Sequence, residues 1–120
     1  MMKTFPSLAI LILVGCFSSR STEDKFLWNV REGNTIIVRT LIERRSITNI
    51  NVADSTASTA LMIACSRGHI EIVKILLEHG ASTVPTNIYG KSALDLAQEK
   101  QHSRIVELLN QTDGRLKSKL

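Results

Sequence analysis

Apolar positions change character along the chain. Leu8-Ala9-Ile10-Leu11-Ile12-Leu13-Val14 is unbroken and has no polar face. A core helix of a soluble domain needs one, and seven apolar residues fall well short of the roughly 20 that cross a hydrocarbon core as a helix. Ser18 to Thr22 are small or polar. Beyond them the apolar residues recur at helical spacing. Leu61, Ala64 and Cys65 lie on one side of a predicted short helix. Ile72, Val73, Ile75, Leu76 and Leu77 form the apolar face of a second, with Lys74 and Glu78 outward as a polar pair. Gly68 and Gly80 stand where these helices end and a left-handed residue is needed.

The pattern repeats. Asp54 to His69 align with Asn87 to His102 at a constant offset of 33, pairing Leu61 with Leu94, Ala64 with Ala97 and His69 with His102. The same offset pairs Ile72-Val73 with Ile105-Val106 and Leu76 with Leu109. Upstream, Gly33-Asn34, Val38, Leu41 and Ile42 align with Gly68-His69, Val73, Leu76 and Leu77 at an offset of 35. The first unit is thus two residues longer, and the extra length is expected around Arg44 to Asn49. One such helix pair cannot bury its own apolar face, whereas stacked pairs can.

Gly68-His69-Ile70-Glu71-Ile72-Val73-Lys74-Ile75-Leu76-Leu77-Glu78-His79-Gly80-Ala81 closely resembles the second half of the ankyrin repeat, and the resemblance extends from Lys25 to Asn110. It implies an all-α fold, a short solenoid of about three helix-turn-helix units with short hairpin connections. The units read as 21–51, a divergent N-terminal cap, 52–85 and 86–111, within a domain at 23–113. Polar Asn110, Gln111 and Thr112 stand where the last helix must meet water. The sequence departs from the family pattern at its helix starts. Ala60 and Ala93 replace the usual Pro, Met62 and Asp95 the usual His, and Ala57 the usual Gly. Thr–His hydrogen bonds are therefore missing there and the helix starts should be weaker, with Ser92 and Asp95 able to compensate as a capping box.

Residues 1–15 read as a signal peptide, Lys3 supplying the positive n-region. Leu13-Val14-Gly15-Cys16 resembles the lipobox of bacterial lipoprotein signal peptides, which implies acylation of Cys16 and a tether over 16–22. An ordinary secretory signal that contains a cysteine is the other reading. Two or more acyl chains make anchoring stable. Phe17, rather than Asp, follows the cysteine, which for a Gram-negative source points to the outer membrane facing the periplasm.

Charge and composition narrow the function. Between Glu23 and Asp113 ten Lys/Arg stand against eleven Asp/Glu, so the net +4 of the chain sits in Lys3, Arg20 and a basic tail at 114–120. A nucleic-acid binder carries its positive stripe on the folded domain, so nucleic acid is not an expected partner. Aromatics are 4%, thin for a cofactor pocket or a base-stacking platform. Two cysteines exclude a disulfide-rich scaffold. Gly90-Lys91-Ser92 lacks the Gly that a phosphate loop requires five positions earlier, where Pro85 stands. Cys65 and His69 have no second pair to complete a zinc site. Neither a Gly-x-Ser-x-Gly nor a His-Glu-x-x-His run occurs. Asp24, Asp54 and Asp95 read as cap or turn residues, His69 and His102 as turn residues, and His79 as a cation at a helix end. No enzyme, cofactor, metal or small-molecule substrate is expected.

The resemblance implies protein binding by hairpin tips and by exposed positions of each first helix. Carried over by position, the tips are Ala53, Ser55 and Thr56, then Thr86, Ile88 and Tyr89. The helix positions are Ser66, Arg67, Glu99 and Lys100. Ile88 and Tyr89 stand out, because a solvent-facing turn has no folding reason to carry two large apolar side chains. The alternative for Tyr89 is that it folds back on its own hairpin. The expected function is a membrane-anchored, non-catalytic protein-binding lipoprotein of the cell envelope. The alternatives are an envelope lipoprotein that neutralises a toxin or inhibits an enzyme, and a secreted soluble repeat protein.

Overall fold

The computed structural model describes residues 21–119, with side chains for 21–112. The expected signal peptide at 1–15 and the expected acylation site Cys16 lie outside the described residues. Among the described residues six helices follow one another: α1 (Thr22–Glu32), α2 (Thr35–Glu43), α3 (Ala60–Arg67), α4 (Ile70–Glu78), α5 (Ala93–Glu99) and α6 (Ser103–Lys119). Each odd-numbered helix pairs with the next, and the pairs stack into an inner layer of α1, α3 and α5 and an outer layer of α2, α4 and α6. This is the three-unit solenoid that the period implies.

Local chemistry starts and stops the helices as the repeat requires. Ser21, Thr59 and Ser92 are the N-caps of α1, α3 and α5, accepting from the amides of Asp24, Met62 and Asp95. Such side chains satisfy amides that no helical carbonyl reaches. The expected capping box is present at α5, where the Ser92 amide donates back to Asp95 Oδ2 at 3.0 Å. Met62 cannot reciprocate, so α3 has a one-way cap. Each outer helix that starts beside a glycine is preceded by a two-residue link, Gly33-Asn34 or Gly68-His69, whose glycine has φ near +79°. At the far end of α4, Gly80 (φ +83°) donates to the Leu77 carbonyl and Ala81 to that of Leu76. Unit one repeats those bonds with Arg45 (φ +55°) to Ile42 and Ser46 to Leu41. The repeat register therefore holds as far as Ser46, and the two extra residues of unit one fall after it.

Leu61, Ala64, Cys65, Ile72, Val73, Ile75 and Leu76 are buried as predicted. Met62 and Ile63 are buried as well, because the middle inner helix has a neighbour on each side. Leu77 is only half-buried, packed against the rim of the core. Lys74 pairs with Glu71, one turn back at 3.5 Å, rather than with Glu78. The last helix runs through the 111 boundary and most of the basic tail to Lys119. Among the described residues no helix is long and apolar enough to cross a membrane.

The units are joined by a contact the sequence only hinted at. His69 Nε2 lies 3.1 Å from the Arg31 carbonyl and His102 Nε2 lies 3.2 Å from the Ser66 carbonyl. A carbonyl only accepts, so Nε2 carries the proton in both rings. Arg31 and Ser66 hold equivalent places in the last turn of the preceding inner helix, where carbonyls lack helical partners. The imidazoles therefore complete the helix of the unit before. They lie directly over the glycines: a Cβ on Gly33 would come within 2.7 Å of His69 Cε1, and one on Gly68 within 2.7 Å of His102 Cε1.

Three substitutions test this geometry. Leu76→Ala, at a fully buried position, should cost ~2–5 kcal/mol; a thermal melt within a few degrees of wild type would show the core assignment to be wrong. Gly68→Ala should cost ~1–3 kcal/mol, since it strains a left-handed residue and displaces His102. Ala57→Gly, which relieves a left-handed alanine (φ +60°), should instead gain up to ~1 kcal/mol. Denaturant melts giving the same sign for both changes would contradict the conformational argument.

Candidate protein-binding site

The two hairpins that precede α3 and α5 are built by one acceptor each. Asp54 Oδ1 accepts from the Thr56 amide at 2.8 Å, the Thr56 hydroxyl at 2.6 Å and the Ser58 amide at 3.1 Å. Asn87 Oδ1, one period later, accepts from the amides of Tyr89 at 2.9 Å and Lys91 at 3.1 Å. Short antiparallel bridges close the hairpins at Ala53–Thr59 and Thr86–Ser92. The Ile88 amide donates to the Thr56 carbonyl at 3.0 Å, so one tip is bonded to the next. A short Asx or Asn turn thereby fixes each tip relative to the helix behind it.

Between the tips and the inner helices runs an open groove of about 550 Å³. Thr56 and Tyr89 line it from the hairpins, and Ser66, Arg67, Glu99 and Lys100 from the ends of α3 and α5. Six of the ten expected contact positions thus converge on one surface. Ala53, Ser55, Thr86 and Ile88 do not line the groove: all four are exposed on the tips, Ile88 with 62% of its surface open. Tyr89 is 70% exposed and does not fold back on its own hairpin. Met62, Ile63 and Leu96 give the groove an apolar floor.

The sequence reading missed Arg31, Asp54 and Lys91 as groove residues. Arg31 reaches across 23 positions to pair with Asp54 Oδ2 at 3.5 Å, a contact that only the stacking of unit one on unit two creates. Lys91 pairs with Glu99. A signal was available for Arg31, which shares its register with Ser66 and Glu99. Burial pushes the Asp54 carboxyl up, but the bonds from Thr56 and Ser58, with the Arg31 charge, outweigh it and hold the group below its ordinary 3.8. Glu99 is lowered by its hydrogen bond to Lys91 and then by that residue's charge. Burial pushes the Cys65 thiol up to about 12, so it stays protonated and acts as a small core hydrophobe. His79 is tied to its own helix, Nδ1 donating to the Ile75 carbonyl at 2.8 Å. Among the described residues no three His, Cys, Asp or Glu side chains group closely enough to hold a metal ion.

Stacked helix pairs, tips bonded in series and a groove along the inner helices define a repeat module that presents a continuous surface. The family model for ankyrin repeats in three copies matches residues 26–118, and the chain belongs to the ankyrin-repeat family. It is 39% identical over 83 residues to the putative ankyrin repeat protein YahD of Escherichia coli, covering 65% of this chain and 41% of that protein. It is 35% identical over 75 residues to alpha-latrotoxin-Lt1a of Latrodectus tredecimguttatus, covering 62% of this chain but 5% of the toxin. Inversin of Gallus gallus is 38% identical over 56 residues, covering 47% of this chain and 5% of inversin. The chain thus spans a small fraction of the first relatives it matches, and the likeness is one of the repeats. Ankyrin repeats imply a protein-binding module.

The depressed Asp54 pKa predicts an acid dependence. A carboxyl whose folded pKa lies below its unfolded value stabilises the fold above the unfolded value. That contribution is lost as pH falls through the folded one. Asp54→Asn should therefore melt lower than wild type at pH 7 and lose less on acidification to pH 3. Parallel melting curves for the two proteins across that range would contradict the assigned role.

Proposed function

We propose that this protein is a membrane-tethered, non-catalytic ankyrin-repeat lipoprotein of the cell envelope, which holds a protein partner against the groove between its hairpin tips and inner helices. The observation that carries the binding surface is Tyr89. It is large, 70% exposed, and set by Asn87 at the edge of a groove that combines charges and small polar groups with an apolar floor. Tyr is among the residue types that dominate interface energetics. Support for the tether is Leu13-Val14-Gly15-Cys16 behind an apolar run too short to span a bilayer. A short polar linker reaches at most ~3.5 Å per residue, so an acylated Cys16 would hold the first unit close to its membrane. The lack of Asp after the cysteine favours the outer membrane in a Gram-negative source.

Each half of this reading has its own test. Cys16→Ser should leave the chain unacylated and move it out of the detergent phase; unchanged mass and partitioning would remove the anchor from the proposal. A photo-crosslinking residue placed at Tyr89 or Arg67 in the full chain should trap a protein adduct in cells, and the same residue at Glu71 on the outer layer should not. Adducts from Glu71 alone would move the binding face to the outer helices. With the trapped protein as ligand, Tyr89→Ala should weaken binding by at least ~2 kcal/mol with little change in melting temperature.

A further inference from the structure

The groove is more positive than the domain that carries it. Arg31, Arg67, Lys91 and Lys100 line it against Asp54 and Glu99, whereas residues 23–113 as a whole carry one more acidic than basic side chain. Its two carboxylates are already engaged. Asp54 is held by Arg31 and by its own hairpin, and Glu99 by its ion pair with Lys91, the more distant Lys100 charge acting on it only weakly. The charges left over are those of Arg67 and Lys100, both exposed and neither in an ion pair among the described residues. They occupy one repeat register, 33 residues apart at the ends of α3 and α5. Packed neighbouring helices set such positions about 8–10 Å apart. The same register in unit one holds Glu32, so the positive pair is confined to units two and three, next to the exposed Tyr89.

We infer that the partner segment which occupies this groove is an acidic peptide, carrying at least two carboxylates matched to Arg67 and Lys100 and an apolar side chain that packs against Tyr89 and Leu96. The inference rests on the groove being the binding site proposed above. Charge complementarity selects this partner. Two unpaired cations are too few for a nucleic-acid backbone, whose binding proteins commonly neutralise ~6–10 phosphates.

The test is selection of a random 12-residue peptide display library on the immobilised full chain. The enriched peptides are then measured by fluorescence anisotropy. Acid-rich peptides with an apolar residue should be enriched. They should lose affinity as salt rises, and bind Arg67→Glu/Lys100→Glu at least ~10-fold more weakly. Because Glu at a helix C-terminus is itself unfavourable, Arg67→Gln/Lys100→Gln provides a second variant. It should also weaken binding while melting close to wild type. Neutral or basic peptides that still depend on Tyr89 would overturn the acidic partner and leave the groove as a binding site. Enrichment of no peptide sensitive to Tyr89 or Arg67 would overturn both. A single-stranded 12-nucleotide DNA that binds in competition with, and more tightly than, every enriched peptide would reassign the cations to nucleic acid.

Discussion

The stack depends on the imidazole that each later unit lends to the one before it. Helices of 7 to 11 residues, such as α1 to α5, are too short to persist alone in water, and each leaves carbonyls in its last turn without partners. His69 and His102 donate to those carbonyls across the unit boundary. The contact works only where the opposing residue has no Cβ, because the ring sits at the place a Cβ would fill. Glycine therefore has two functions at 33 and 68: it supplies the left-handed turn and makes room for the neighbour's ring. Apolar burial between layers provides the bulk of the stabilisation, but it is non-directional. The histidine bonds, together with the Ile88–Thr56 bond and the Arg31–Asp54 pair, set one unit's register against the next, and hence the line of the groove.

The end units show what happens where that coupling has no neighbour to serve. In the histidine register of unit one stands Asn34, which bonds to Asn29 within its own unit. In the glycine register of unit three stands Gln101, left-handed at φ +61°, whose Cβ meets no incoming ring among the described residues. Core positions behave likewise. Ile37 shares its register with fully buried Ile72 yet is 47% exposed, and Leu41 is half-buried where Leu76 and Leu109 are fully enclosed. Only the middle unit has both faces covered, which is why α3 is buried along most of its length while α1 and α5 are not.

This contrast also explains how much could be read from the residues alone. The period, the buried faces of α3 and α4, the left-handed glycines and the capping box at Ser92 were all legible, because each is a local pattern or a repeat of one. Six of ten surface positions carried over from the family met at one groove for the same reason: position within a repeat maps onto place in the stack. What was not legible is what the stack itself creates. The Arg31–Asp54 pair joins residues that look like an ordinary helix charge and an ordinary turn acid. The pairing of Lys74 with Glu71 rather than Glu78 depends on rotamer choice between two neighbours of equal sequence merit. Left-handed Arg45, Ala57 and Gln101 carry no glycine to announce them. Their backbone conformation is imposed by the repeat and is read by alignment, Arg45 with Gly80, Ala57 with Gly90 and Gln101 with Gly68.

The surface chemistry follows from how fully the polar groups of the groove are used. Asp54 and Asn87 spend their side-chain oxygens on hairpin amides, and among the described residues no buried side-chain polar atom lacks a partner. The two carboxylates of the groove are held ionised by their hydrogen bonds and cation partners, and the Cys65 thiol lies in the core with its proton held. The groove offers instead a stiff arrangement of a ring, two free cations and an apolar floor. Because the tips are bonded to one another and the inner helices are locked by the histidines, little ordering remains to be done when a partner docks. Affinity in such a surface comes from rigidity rather than from area, and a module of three short units can present a usable interface without a large buried core of its own.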